Sequence, residues 1–182
     1  MILPKIRDKR FILIRRGGTL TDDNHRLLAL WAADCAEHAL RFFEETCPDD
    51  SRPRKAIEAA RAWARGEITV TESKNAAGAS QDAAREIKGI SEAAKMAALS
   101  AGQAAVVAHV AAHELGAAAY AIRAVMETVP KPEKEEARIR ECRWQRERVP
   151  DEIRELVLDD ERLRNETCWH VFDTDESKEM IK

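Results

Sequence analysis

Residues 76–124 read AAGASQDAAREIKGISEAAKMAALSAGQAAVVAHVAAHELGAAAYAIRA, a stretch of 49 residues holding 20 alanines. Alanine is the strongest helix former, because it loses no side-chain freedom in a helix. It also buries little area, so helices built from it must approach closely and gain stability through many small contacts. The spacing predicts a helix that opens at Thr71-Glu72-Ser73-Lys74 and fades by Gly89. Another runs from near Ser91 to about His109, and a third passes through Tyr120, Ile122 and Val125 to about Thr128. Residues 110–113 are either a break or a bend. Asp82, Arg85, Glu86, Lys88, Glu92 and Lys95 interrupt the stretch, so it is no membrane span.

Upstream, Thr21 and Asp22 can cap a helix carrying Leu27, Trp31, Cys35, His38 and Phe42 on one stripe, to be ended near Thr46 by Pro48. Ser51 and Pro53 open a second helix, with Ile57, Ala60, Trp63 and Ala64 inward and Gly66 as its left-handed terminator. Residues 1–16 hold six basic residues against the single acid Asp8, and Phe11-Ile12-Leu13-Ile14 is β-prone without an evident partner strand. This predicts a short extended N-terminal arm over 1–20; a nucleic-acid contact is one reading of it, but with no aromatic interleaving to support base stacking it reads rather as an apolar strap with solvated flanks.

Downstream, the composition changes abruptly at Pro132. Glu133 to Arg148 is mostly charged, with Ile139, Cys142 and Trp144 as its few apolar anchors. That describes an exposed helix held along a narrow seam. Pro150-Asp151 opens a last helix with Ile153, Leu156 and Val157 inward, and Trp169, Val171 and Phe172 are placed to dock back on the bundle. The expected architecture is all-α, a single-domain multi-helix bundle of about six to seven helices. The helical domain covers 21–172, with Ala-rich core helices over 72–129, charged helices over 132–164 and a polar tail over 173–182.

Composition narrows function mainly by exclusion. The 182 residues carry 30 Lys and Arg against 33 Asp and Glu, a net charge of −3, which gives no global attraction to nucleic acid or an anionic membrane. Seven Gly and six Pro are too few for a turn-rich β-sandwich. The four cysteines form no CxxC pair and read as reduced packing residues. No secretory signal is evident, so a cytoplasmic location is expected.

The chemistry-bearing candidates are few. Asp34 and His38 share a helix face, and His109 and His113 stand at the H-x₃-H spacing, so four ligands from two helices could converge on Zn²⁺ or another divalent metal. Glu37 and Glu114 neighbour them. The competing reading places these histidines as hydrogen-bonded members of an Ala-rich bundle. Cys35 with His38 suggests a thiolate–imidazole couple, against which both fall on the predicted core stripe. Asp159-Asp160-Glu161 reads as an acidic, solvated flank. Trp144 either pins its charged helix or belongs to an interface.

The segments RRGGTLTDDNHRLLALWAADCAEHALRFFEE, PDDSRPRKAIEAARAWARGEI, AGQAAVVAHVAAHELGAAAYAIRAV and CRWQRERVPDEIRELVL resemble the immunity proteins of bacterial polymorphic toxin systems, within them the all-helical immunity-5-like group. The likeness covers about residues 10–172 and is most specific in DCAEH and RPRKAIEAARAWARGEI. It implies a cytoplasmic, non-enzymatic protein without a cofactor, whose partner is a cognate toxin. No nucleic acid and no membrane are expected as partners, and a homodimer through Ala-rich faces stays open. Two other readings stay open beside it: a metal-binding bundle with hydrolytic activity at Asp34, His38, His109 and His113, and a structural or regulatory interaction module.

Overall fold

A computed structural model describes residues 3, 4 and 6–173. Of the polar tail expected over 173–182, all but Asp173 lies outside the described residues. Among the described residues seven α-helices follow one another: α1 (Asp22–Thr46), α2 (Arg52–Ala64), α3 (Val70–Glu86), α4 (Glu92–Val106), α5 (Glu114–Met126), α6 (Lys134–Arg146) and α7 (Asp151–Arg164). The protein is an all-α bundle, with no strand among the described residues.

Local chemistry sets the boundaries. The Thr21 side chain accepts from the Asn24 amide, and Asp22 and Asp23 fill the first turn of α1, where the helix dipole favours negative charge. Thr69 and Glu72 form a reciprocal capping box at the start of α3, slightly before the expected opening. Ser91 caps α4 through the Ala94 amide. The chain leaves the α-helix after Val106 and passes through a single 3-10 turn, Ala111–His113, before α5. The open question at 110–113 is therefore answered by a break.

The N-terminal segment differs from the extended arm expected over 1–20. Lys9–Phe11 and Ile14–Arg16 form 3-10 turns, and Leu13 and Leu20 make an isolated parallel bridge. A lone β-prone run has no second strand to satisfy its backbone, so it folds onto itself: the Ile14 amide donates to Leu20 O and the Leu20 amide to Ile12 O, each at 3.0 Å. Gly17, at φ 86°, reverses the chain. At Gly18 the return is so close that a Cβ would collide with the Ile12 carbonyl. Phe11 and Leu20 are buried by this loop.

Helix α4 is the hub and packs against α1, α2, α3 and α5. Nine of its fifteen residues are buried, six of them alanines. Helix α5 buries Ala117, Ala118, Ala119, Ala121 and Ala124 around Leu115 and Ile122. Three serine hydroxyls cross between these helices: Ser73 donates to Ala105 O at 2.7 Å, Ser80 to Ala98 O at 2.8 Å and Ser100 to Ala117 O at 2.7 Å. The larger side chains of the core, Leu28, Trp31, Leu40 and Phe43, come from α1.

Helices α6 and α7 are joined on by a different chemistry. Trp31 Nε1 donates to Gln145 O at 3.1 Å, and Gln145 Nε2 donates to Ala118 O at 3.3 Å. Arg138 donates to Val171 O at 2.8 Å, and Arg146 to Phe172 O at 3.0 Å, so two α6 arginines hold the C-terminal segment, in which Val171 and Phe172 are buried. Trp169 stays largely exposed under Arg123, whose guanidinium lies 4.4 Å above its ring. The Asp159-Asp160-Glu161 run is not simply solvated. Asp159 pairs with Arg10 at 2.7 Å, Asp160 pairs with the buried Arg164, and Glu161 accepts from Arg146 at 2.7 Å. Arg164 also reaches the fully buried Glu114 at 3.3 Å. Burial, then the neighbouring Asp160, pushes Glu114 well above the usual carboxylate range, and burial pushes Glu161 up to about 7.

Candidate functional site

Helix α1 turns Leu28, Trp31, Ala32, Cys35, Ala39 and Phe43 inward, which leaves Asp34, Glu37, His38 and Arg41 on its outer edge. On α6, Ala137, Arg138, Glu141, Cys142 and Gln145 form the buried arc, and Trp144 sits at its margin. The two edges face each other across an open groove of about 400 Å³, lined by Asp34, Glu37, His38, Arg41, Trp144 and Arg148.

The centre of the groove is a stack. The His38 imidazole lies nearly parallel to the Trp144 indole, with ring centroids 3.7 Å apart and planes 7° apart. The Arg148 guanidinium stands 4.0 Å from the same indole. Two groups that close must occupy opposite faces, so the indole is held between an imidazole and a guanidinium. Arg148 is fixed further by donating to Trp144 O at 3.0 Å. His38 Nδ1 lies 3.0 Å from Glu141 Oε1, and Glu141 is buried and also accepts from Gln145 Nε2 at 3.1 Å. Trp144 thus does pin α6, through His38 and α1, while its free edge lines the groove.

The acids of the groove are bound from the other side. Arg61 of α2 reaches both Asp34 and Glu37 at 2.7 Å. Its hydrogen bond holds the Glu37 carboxyl below the usual range. Cys35 is buried, and burial pushes its thiol well up, so it stays protonated. His38 leaves the core stripe for the groove and turns to Glu141, so Cys35 and His38 form no couple.

The four expected metal ligands fall in three places. Asp34 and His38 line the α1–α6 groove, and Asp34 is engaged by Arg61. His109 is exposed at the end of α4, beside a small cavity it shares with Arg7, Phe11, Arg16 and His25. His113 lines a separate groove with Gln103 and Tyr120, its Nδ1 2.7 Å from Gln103 Oε1, and burial pushes its pKa down to about 4. Sharing an i,i+4 face requires a continuous helix, and the 3-10 turn at Ala111–His113 interrupts it. Among the described residues no group of three or more His, Cys, Asp or Glu could hold a metal ion.

Arg41, which lines the groove, and Arg61 and Glu141, which bind residues lining it, escaped the sequence reading. Arg61 and Glu141 are ordinary members of charged helices, and their partners lie 24 to 27 and 103 positions away along the chain. One signal was available: on α6 the apolar Ala137 and Cys142 frame an arc on which Glu141 and Gln145 also fall, so some polar groups had to be buried.

Fold and groove together define a helical protein whose outer wall offers an aromatic, charged cleft. The chain belongs to the family described as "Imm-5 like putative immunity protein", whose model matches residues 18–152. Every groove residue lies within that span, and most of α7 lies beyond it. Comparison with curated proteins and with solved structures gave no match. Among the described residues no helix is long and apolar enough to cross a membrane.

Proposed function

We propose that this protein is a non-enzymatic immunity protein that neutralises a cognate bacterial toxin by binding it, and that the α1–α6 groove is the docking face. The family supports the general role. The observation that carries the face is the indole of Trp144, held rigidly between His38 and Arg148 at the lip of an open groove. Tryptophan and arginine are the side chains that most often dominate binding energy, and an indole already fixed in place loses little entropy on docking. The rim of Asp34, Glu37, Arg41 and Arg61 offers the charges that fix orientation. The groove carries no step of chemistry in this reading; occlusion of the toxin is sufficient.

The test is co-expression with the toxin encoded by the adjoining gene, together with calorimetry on the purified pair. The wild-type chain should restore growth and form a stable complex. Trp144→Ala should weaken the complex by about 2 kcal/mol or more, roughly thirtyfold, with the helical circular-dichroism signal intact. Absence of a complex defeats the function, and unchanged affinity in both Trp144→Ala and Arg148→Ala defeats the face.

A further inference from the structure

The charge left over on this face says what the partner must offer. Arg140 and Trp144 stand four residues apart along the margin of α6, and Arg148, two residues past its end, lies over the indole, so two arginines bracket Trp144 in one strip. Arg41 faces them from α1, and Arg143 is exposed one position before the indole. Most arginines of this chain are committed to a carboxylate: Arg10 to Asp8 and Asp159, Arg52 to Asp50 and Glu86, Arg54 to Glu44 and Arg61 to Asp34 and Glu37. Those of the strip are not. Among the described residues Arg41, Arg140 and Arg143 make no ion pair, and Arg148 has only Glu147 at 3.9 Å, the long limit of such a contact.

Among the described residues the exposed Glu45 and Glu136, four residues from Arg41 and Arg140, make no ion pair with them, and the acids of the groove are engaged elsewhere. Asp34 and Glu37 share Arg61, and Glu141 is buried against His38. A protein with a net charge of −3 therefore presents, around the stacked indole of Trp144, guanidinium groups that no carboxylate among the described residues grips closely. We infer that this strip receives a carboxylate-rich segment of the toxin, with acidic side chains pairing to Arg41, Arg140 and Arg148 on either side of Trp144. The inference rests on the docking face proposed above and adds the chemistry of its occupant. Guanidinium forks match carboxylates bidentately, and a rim of like charge speeds encounter with an oppositely charged patch. The strip is short and lies on an acidic protein, which favours an acidic protein segment over the long phosphate track of a nucleic acid.

The experiment measures association and dissociation of the wild-type chain with the toxin over roughly 50 to 500 mM salt, a range across which the screening length shortens severalfold. Arg41→Gln, Arg140→Gln and Arg148→Gln are measured singly and together, with Arg85→Gln, an exposed residue of α3 paired with Asp82, as the control. The triple variant should associate about tenfold more slowly and lose most of its salt dependence, while Arg85→Gln behaves as wild type. Arg148→Glu should weaken the complex further than Arg148→Gln. A wild-type complex that is insensitive to salt and to the triple variant, yet lost in Trp144→Ala, overturns the carboxylate inference and leaves the docking face standing. Displacement of the toxin by an equimolar DNA duplex also overturns it, because the strip would then be a phosphate site. Failure of the wild-type chain to bind any toxin removes the functional reading itself and the inference with it.

Discussion

Helices α4 and α5 are held in place chiefly by contact, with a few serine hydroxyls between them and α3, whereas α6 and α7 are held largely by hydrogen bonds and ion pairs. The inner pair buries alanine against alanine, with Gly102 only 3.2 Å, as a Cβ would measure it, from Ala77 O. The outer pair buries Arg138, Glu141, Gln145, Asp160, Glu161 and Arg164, the last of them reaching inward to Glu114 at the start of α5. Interior packing of small residues is unforgiving of added volume, and interior charge is unforgiving of a lost partner. The two halves of one bundle should therefore fail in opposite ways.

The sharpest contrast is expected at Arg164. Arg164→Met leaves Glu114 and Asp160 buried without their shared cation, and should cost about 3–5 kcal/mol in chemical denaturation at neutral pH. A loss under 1 kcal/mol would mean the outer pair does not depend on its ions. His113 tests whether the inner region is free of such dependence. Its folded pKa of about 4 lies below the usual imidazole value of 6.5, so the unfolded chain takes up a proton first as the medium is acidified. Stability from this group is fully present above about 6.5 and is lost as pH falls toward 4, by up to about 3 kcal/mol. His113→Gln should flatten that part of the stability-versus-pH curve.

Added volume makes the complementary test. Ala101→Leu or Ala117→Leu should destabilise by about 1–3 kcal/mol, whereas Arg143→Leu on the exposed side of α6 should stay within about 0.5 kcal/mol in the same melts. A small effect is also expected at Arg61→Ala. Its pairs with Asp34 and Glu37 lie at the surface, so the stability change should be under about 1 kcal/mol, even if toxin binding shifts more.

The inner half was legible in the amino-acid sequence, and the outer half was legible only in outline. Alanine density, Thr21 and Ser91 as caps, and Pro48 as a stop are local signals, and the helices begin and end where those residues put them. Gly66 likewise follows α2 in the left-handed region at φ 77°. Even there Ser51 misled, since the Arg52 amide is taken by the Asp50 side chain and Ser51 makes no cap bond. On α6 and α7 the residues that mattered look like surface residues, and nothing local says that Glu114 will meet Arg164 fifty positions later. Of the candidate site, DCAEH drew attention to Asp34 and His38, and Trp144 stood out as an odd indole on a charged helix. Their shared groove required the tertiary arrangement. The H-x₃-H spacing was read as one face because the break between α4 and α5 has neither proline nor glycine to announce it.

Ser73, Ser80 and Ser100 have a consequence beyond their own hydrogen bonds. A face of methyl groups looks much the same after one helical turn of sliding, so contact alone leaves neighbouring registers close in energy. Each hydroxyl meets a single carbonyl on the adjacent helix, and a shift of about 5.4 Å would strand all three in a dry interior. These serines act as detents between otherwise smooth rods, selecting one alignment from several that pack equally well.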